Sequence, residues 1–270
     1  GTPALLSAMA SRRPSSMNTI VYRSNISSAS IIFDQNAVYY KGAWVLHMLR
    51  HIIGDANFFA TLALYRSNHL YGTAVTEDLQ AAAESVYGQS LEWFFEPWVY
   101  LTGAPTYQSA WRNISAGGAS YVELYLNQTQ NVAWTTFKMP VDIRCTIGGS
   151  PVTKTIWNDE RSEHLLIPVS GSATAIAIDP NNYILHPTST TTTFVEGPPK
   201  IVKVTPALGS ANASGTVSDV QIVFHRNVNA TAGAFAITGQ NTGSVPFSFA
   251  YNAGTMTATL TPTSALDGDS

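Results

Sequence analysis

Two histidines, His47 and His51, lie four residues apart in the segment VYYKGAWVLHMLRH, residues 38–51. On a helix this spacing puts both imidazoles on one face, where neutral histidines can chelate zinc. The hydrolytic zinc signature is His-Glu-x-x-His, but Met48 stands where its general-base glutamate would be. Arg50 would also raise the cost of placing a dication beside the pair. We therefore predict that this pair is not a zinc site and that the chain holds no metal ligands.

The tyrosines at the start of the same segment offer a different chemistry. At about 100° per residue along a helix, Tyr40 lines up with His47 on the more polar stripe. Tyr39 turns towards the side that carries Gly42 and Ile53, which we expect to be the buried side. A phenol aimed there needs a hydrogen-bond partner or a cleft, and Gly42 leaves room for an approaching molecule. The pattern leaves two roles open for Tyr39, a buried structural residue or a hydrogen-bond donor to a ligand.

The elements that carry these residues follow a helical period over residues 37–101. Glycines after apolar runs and acidic residues in first turns predict four short helices. The first runs over 37–53 and ends at Gly54, and the second covers 56–71. The third runs from Thr76 to Gly88, and the fourth begins at Ser90 and is interrupted by Pro97.

From residue 106 the apolar period changes from 3.6 to 2, which predicts strands. The strand-like runs of the first all-β region are 121–128, 139–147, 151–157, 164–169 and 174–179. A Thr-rich and Pro-rich linker follows, and then a second all-β region that is typical of a small immunoglobulin-like module. The sequence thus predicts a multidomain α + β fold: a helical subdomain at 1–105, a β-sandwich at 106–187, a linker at 188–199 and the module at 200–270. We expect the module to be truncated, because one more strand should follow the closing SALDGDS.

Composition and charge exclude several classes of protein. The net charge of −3 gives no electrostatic reason to bind nucleic acid, and no run approaches the roughly 18 apolar residues of a membrane span. A single cysteine, Cys145, excludes an internal disulfide framework and a cysteine-based metal cluster. Only 11% of the residues are charged, and such a Ser-, Thr- and Asn-rich chain is typical of secreted or cell-surface proteins.

The segment Val38–Ala43, VYYKGA, resembles the V-Y-x-K-G-A motif of the aminopeptidase N family, the gluzincin aminopeptidases. The resemblance continues through WVLHMLR (44–50), Gly54-Asp55 and EWFFEPWV (92–99) to GAP (103–105). It extends more weakly to DPNNYIL (179–185), and the family's order of units also places a β-sandwich after the helical end of the catalytic domain. The C-terminal module instead resembles bacterial Ig-like domains.

The resemblance implies a zinc peptidase that hydrolyses N-terminal peptide bonds and in which Tyr39 donates its hydroxyl to the oxyanion of the tetrahedral intermediate. It gives no catalytic role to Lys41 or Gly42. The family's zinc ligands, its general-base glutamate and its Gly-x-Met-Glu-Asn segment lie before this tyrosine, and none of these motifs occurs in the 270 residues. We therefore expect a C-terminal fragment of a secreted zinc aminopeptidase, inactive alone, whose partners are a peptide substrate and the missing N-terminal catalytic portion.

Two alternatives stay open. The chain could be a non-catalytic extracellular scaffold or binding protein with a peptidase-like fold, in which Trp111, Trp134 and Trp157 form a sugar-stacking platform rather than sandwich core. It could also be one piece of a two-chain enzyme. A His-Glu-x-x-His motif followed by a further glutamate in residues preceding Gly1 would favour the enzyme, and its absence there would favour the scaffold.

Overall fold

A computed structural model of the chain describes residues 3–21, 26, 28–209, 217–239 and 243–263. Contacts between residues divide the chain into two compact units. The first comprises residues 1–110, 125–163 and 174–195, and the second comprises 111–124, 164–173 and 196–270. The predicted multidomain α + β fold class is confirmed. The domain boundaries predicted at 105, 187 and 199 stay predictions.

In the part of the chain that the structure describes, the helices belong to the first unit, apart from a short 3-10 turn at Ala232–Ala234. They are α1 (Pro3–Ala10), α2 (Ala29–Ile32), the π-helix π1 (Gln35–Lys41), α3 (Gly42–His69), α4 (Thr76–Tyr87), α5 (Glu92–Phe95) and a second π-helix, π2 (Glu96–Tyr100). Within the described residues, no helix is both long enough and apolar enough to cross a membrane.

Two glycines confirm the predicted helix ends. Gly54 interrupts α3 with a non-helical backbone, φ 79° and ψ 162°, so the helix is two rods joined at a kink. Gly88 ends α4 in the left-handed conformation, φ 78°, and its N–H donates to the Glu84 carbonyl. Residues with a Cβ rarely adopt such angles, which is why glycine punctuates the sequence at both points.

The core of the first unit is aromatic and aliphatic. One stripe of α3 supplies Trp44, Met48 and Leu49, none of which is exposed to solvent. The ring of Trp98, from π2, lies 4.6 Å from that of Phe137. Full burial of each large apolar side chain contributes about 1.5–3 kcal/mol, so these residues dominate the stability of this unit.

The strands are β1 (Tyr107–Ala116), β2 (Ala119–Gln128), β3 (Met139–Ile147), β4 (Ser150–Asn158), β5 (Ser162–Val169), β6 (Ala173–Ile178), β7 (Thr190–Thr191), β8 (Ile201–Thr205), β9 (Val220–Phe224), β10 (Ile237–Gly239), β11 (Gly243–Val245), β12 (Phe247–Asn252) and β13 (Thr257–Pro262). The predicted 139–147 coincides with β3. The sequence did not predict β1, because polar residues such as Ser109 and Arg112 interrupt its apolar alternation.

The first unit contains a three-stranded sheet in the order β4-β3-β6. β3 and β4 are antiparallel over their full lengths, from Met139 opposite Asn158 to Ile147 opposite Ser150. β4 is therefore an edge strand. Seven of its nine residues are exposed, in contrast to the mostly buried β3, so both faces of β4 meet solvent in this unit.

The second unit contains the antiparallel sheet β12-β13-β9-β8. Phe224, Ala258 and Leu260 form its buried core, and the rings of Phe235 and Phe249 stack 5.4 Å apart. Residues 264–270, after which a further strand was expected, lie outside the described residues. The predicted truncation of the module therefore stays a prediction.

A buried carboxylate, Glu123 of β2, organises charged side chains in the second unit. Its side chain accepts hydrogen bonds from Arg112 Nε at 2.7 Å and from Arg226, and it lies 3.2 Å from His225 Nε2. Glu196 accepts a hydrogen bond from Arg112 Nη2 at 2.8 Å, which lowers the pKa of the Glu196 carboxyl. Glu123 is only 1% exposed, so its charge depends on these partners for compensation.

Candidate functional site

The predicted catalytic residue, Tyr39, lies in π1. Asp34 starts this turn: its Oδ1 accepts a hydrogen bond from the Ala37 N–H at 2.6 Å. The wide i→i+5 turn then passes directly into α3 at Gly42. Single π turns within longer helices are rare and occur frequently at functional sites. Tyr39 is therefore held in backbone of a kind that often carries function.

Tyr39 does not face the buried side, and the orientation predicted from the sequence is wrong. It is 56% exposed, and Leu46, seven residues further on, is 37% exposed. The buried stripe instead runs through Ala37, Lys41 and Trp44. The large apolar residues of α3 define the core side, and the wide π turn breaks the 100° spacing on which the prediction relied.

The surroundings of Tyr39 leave its hydroxyl accessible. This hydroxyl makes no hydrogen bond to another residue in the described part of the chain. A Cβ added at Gly42 would meet no atom within 4 Å, so the predicted open space beside Gly42 is confirmed. The neighbouring phenol differs, because Tyr40 accepts a hydrogen bond from Gln35 Nε2 at 2.8 Å. Of the two phenols, Tyr39 is the one available to a ligand.

Lys41, the last residue of π1, is fully buried. Its Nζ donates to the Asn18 carbonyl at 3.0 Å and to the Leu101 carbonyl at 3.1 Å. Burial lowers the pKa of Lys41 from 10.5 to about 8. No catalytic role for Lys41 was expected from the sequence. The available signal was its spacing, four residues after Ala37 and three before Trp44, which places it on the apolar stripe.

The histidine pair sits on α3, where backbone carbonyls and one tyrosine surround it. His47 Nε2 lies 3.2 Å from the Asn182 carbonyl, and His51 Nε2 lies 3.3 Å from the Pro140 carbonyl. The His51 ring stacks on Tyr183 with centroids 4.2 Å apart. Burial lowers the pKa of His47, which favours its neutral form.

The residues present do not fit a zinc ion. A ring nitrogen that is hydrogen-bonded to a carbonyl carries the proton, so at His47 and His51 only the Nδ1 atoms could bind a metal, and two such atoms are fewer than the three protein ligands of a zinc site. Arg50 lines the same open pocket and is bound through two 2.7 Å hydrogen bonds to Asp55. Among the described residues, no group of three histidine, cysteine or acidic side chains is placed to hold a metal.

The three tryptophans of the possible sugar platform have different surroundings. Trp111 belongs to the second unit. Trp134 packs on Gly103, where an added Cβ would lie 2.6 Å from the indole ring. Trp157, at the end of β4, is 46% exposed and pairs edge-on with Trp93, their centroids 5.6 Å apart. The exposed Trp157 and the partly buried Trp93 thus form an aromatic pair in the first unit.

Comparison with known proteins adds family information for two parts of the chain. Residues 5–98 match the peptidase family M1 domain, and residues 195–270 match a bacterial Ig-like domain. Aminopeptidase N of Lactococcus lactis subsp. cremoris (strain MG1363) is 40% identical over 74 residues, which are 27% of this chain and 9% of that protein. Aminopeptidase M1 of Arabidopsis thaliana is also 40% identical over 74 residues, which are 27% of this chain and 8% of that protein.

The fold has a solved counterpart in Legionella pneumophila aminopeptidase A, in a crystal structure with aspartic acid. The TM-score is 0.54 at 13% identity, and the match covers 67% of this chain and 20% of that one. The chain thus spans a small part of each of these relatives. The predicted resemblance is confirmed: residues 5–98 are similar to the peptidase family M1 domain and to aminopeptidase N, and residues 195–270 are similar to a bacterial Ig-like domain.

Proposed function

We propose that residues 5–98 work within an aminopeptidase N-like hydrolase that cleaves N-terminal peptide bonds, and that Tyr39 is its oxyanion donor. The observation that carries the proposal is the placement of Tyr39. It combines the family motif, an exposed phenol without a described partner, and open space at Gly42. A positioned hydroxyl aimed at developing negative charge stabilises a transition state by about 3–4 kcal/mol.

Zinc enters this proposal by resemblance alone. Because the described residues do not fit the ion, we assign it no step here. We propose that the zinc ligands and the general base come from residues outside these 270, in the same polypeptide or in a separate chain. A secreted or cell-surface location fits the Ig-like domain and belongs to the same proposal.

The role of Tyr39 is tested by Tyr39→Phe in the zinc-loaded peptidase, assayed on an aminoacyl-anilide. We expect kcat to fall by about 10²–10³-fold with little change in KM, because the lost bond forms only in the transition state. Tyr40→Phe is the matched control, since it removes a neighbouring hydroxyl that is bound to Gln35. An unchanged kcat in Tyr39→Phe would remove Tyr39 from the mechanism.

The origin of the metal site is tested on the 270-residue chain. We expect no stoichiometric zinc by elemental analysis and no cleavage of the anilide until the zinc-binding portion is mixed in. Stoichiometric zinc that His47→Ala abolishes would contradict this and would assign the histidine pair to the metal.

A binding role is the second candidate, and the Trp93–Trp157 pair, in which Trp157 is exposed, favours it. Lys138 Nζ lies 5.5 Å from the centroids of both rings, so apolar and charged groups share one surface. Titration with soluble oligosaccharides, followed by tryptophan fluorescence, tests this role. Saturable binding that Trp157→Ala removes would support it, and an unchanged spectrum would count against it.

A further inference from the structure

Lys41 has no part in the proposed function, although burying its charge is energetically unfavourable. Lys41 is a charged side chain with no exposed surface, and fully buried lysines are rare because desolvating an ammonium is unfavourable. A buried ammonium can still be useful to a protein when its hydrogen bonds fix the relative positions of backbone segments. In this unit the hydrogen bonds of Lys41 to the Asn18 and Leu101 carbonyls connect segments that are distant in the sequence.

The ammonium of Lys41 joins three segments of the first unit. Lys41 itself ends π1, and the Leu101 carbonyl belongs to the C-terminal cap of π2. Asn18 lies in segment 17–21, which is bonded to the exit of π2. In that segment Gly103 N donates to the Met17 carbonyl at 2.7 Å, and Ile20 N donates to the Val99 carbonyl at 2.9 Å. A cation at the C-terminal cap of a helix also interacts favourably with the helix dipole.

Tyr39 lies two residues before Lys41, within the π-helix π1. We argue that contacts at both ends of π1 are required to keep it in this form. A π-helix holds one residue more per hydrogen-bonded ring than an α-helix and is much the rarer form. If the hydrogen bonds of π1 changed from i→i+5 to i→i+4, π1 would become an α-helix, and the direction of its side chains would change. Asp34 fixes the start of the turn through the Ala37 N–H, and Lys41 fixes its end. With both ends of π1 fixed by these contacts, residues 35–41 remain a π-helix.

We propose that Lys41 is a positioning residue for Tyr39. By binding the Asn18 and Leu101 carbonyls, it keeps residues 35–41 wound as a π-helix with the Tyr39 hydroxyl on the outer side. This inference rests on the proposed function for its catalytic meaning, but the positioning itself can be measured without activity.

The first experiment uses the 270-residue chain labelled with fluorotyrosine. The Tyr39 resonance in the fluorine NMR spectrum is the signal that disappears in Tyr39→Phe. We expect Lys41→Met to displace and broaden this signal, whereas Lys138→Met, which removes an exposed lysine, leaves it in place. Lys41→Gln, whose side chain is one bond too short to bind the Asn18 and Leu101 carbonyls together, carries the test if circular dichroism shows that Lys41→Met does not fold. An unchanged Tyr39 signal in the variant that retains the native circular dichroism would overturn the proposal.

The second experiment is a kinetic double-mutant cycle in the zinc-loaded peptidase. We expect Lys41→Met to lower kcat by about 10–100-fold, as small misplacements of catalytic groups do, with KM within about twofold. In the Tyr39→Phe background the same change should lower kcat by less than about twofold, because the two residues act as one unit.

The outcomes of the cycle separate the two proposals. An equal loss of kcat in both backgrounds would show that Lys41 acts elsewhere and would overturn the positioning role. An unchanged kcat in Tyr39→Phe alone would refute the proposed function instead, and the fluorine experiment would still decide whether Lys41 positions Tyr39.

Discussion

Removing the buried charge of Lys41 should change how stability depends on pH. Burial lowers the pKa of Lys41 from 10.5 to about 8, so the folded state binds the lysine proton more weakly than the unfolded state does. Between these two values the unfolded chain holds more protons, and stability therefore rises with pH. Over the whole window the gain is about 3 kcal/mol, or about 1.4 kcal/mol per pH unit. Lys41→Met has no ionisable group here and should lack this gain.

The assay is urea unfolding of the wild type and Lys41→Met at pH 7, 8, 9 and 10, followed by tryptophan fluorescence. Trp44 and Trp98 are fully buried in the same unit and report its unfolding. Subtracting the two free energies of unfolding cancels every group that titrates alike in both proteins. We expect the difference to be constant below pH 8 and to move in favour of the wild type above it. A difference that stays flat up to pH 10, as expected for the exposed control Lys138→Met, would refute the argument.

Two further substitutions test the packing and the charge network. Gly103→Ala places a Cβ 2.6 Å from the Trp134 ring at a backbone φ of 112°, and it should lower the free energy of unfolding by about 3 kcal/mol. Gly148→Ala, where the added Cβ meets nothing within 4 Å, should lower the free energy of unfolding by only about 1 kcal/mol in the same urea experiment. Glu123→Gln removes the buried carboxylate that binds Arg112 and Arg226. Because both arginines are partly exposed and also pair with Glu196, it should destabilise the second unit by about 1–3 kcal/mol in urea. The exposed control Asp159→Asn should change little, and equal midpoints for these two variants would show that the network contributes nothing.

The sequence predicted the helix ends well, because they depend on local chemistry. Only glycine readily adopts the backbone angles found at Gly54 and Gly88, so each position is visible in the sequence without knowledge of the fold. Thr76 likewise begins α4, with Glu77 and Asp78 in the first turn as expected. Strand β3 was equally clear, since its apolar residues alternate without interruption.

The orientation of Tyr39 could not be predicted in the same way. Counting 100° per residue assumes an α-helix, and residues 35–41 form a π-helix whose stability depends on Lys41 reaching two distant carbonyls. Those partners are 23 and 60 residues away in the chain, so no local pattern reveals them. Sequence could have suggested that Lys41 is buried, but it could not have shown what the ammonium binds.

The surroundings of the histidine pair were also beyond the sequence. The missing glutamate and the neighbouring Arg50, which disfavour zinc, are local features of the sequence. The stacking of His51 on Tyr183 joins residues 132 positions apart and depends on tertiary packing. The sequence therefore shows that the pair lacks the glutamate of the zinc motif, but the contacts of the two histidines depend on the fold.

The charge at the middle of β4 bears on how copies of this protein meet in solution. Lys154 is the fifth of the nine residues in this edge strand. If β4 strands of two copies paired antiparallel with their middle residues opposite each other, the two Lys154 side chains would lie directly opposite. Like charges in that position repel. One ammonium group therefore disfavours sheet-to-sheet aggregation in that arrangement, at an edge that is otherwise rich in threonine and apolar residues.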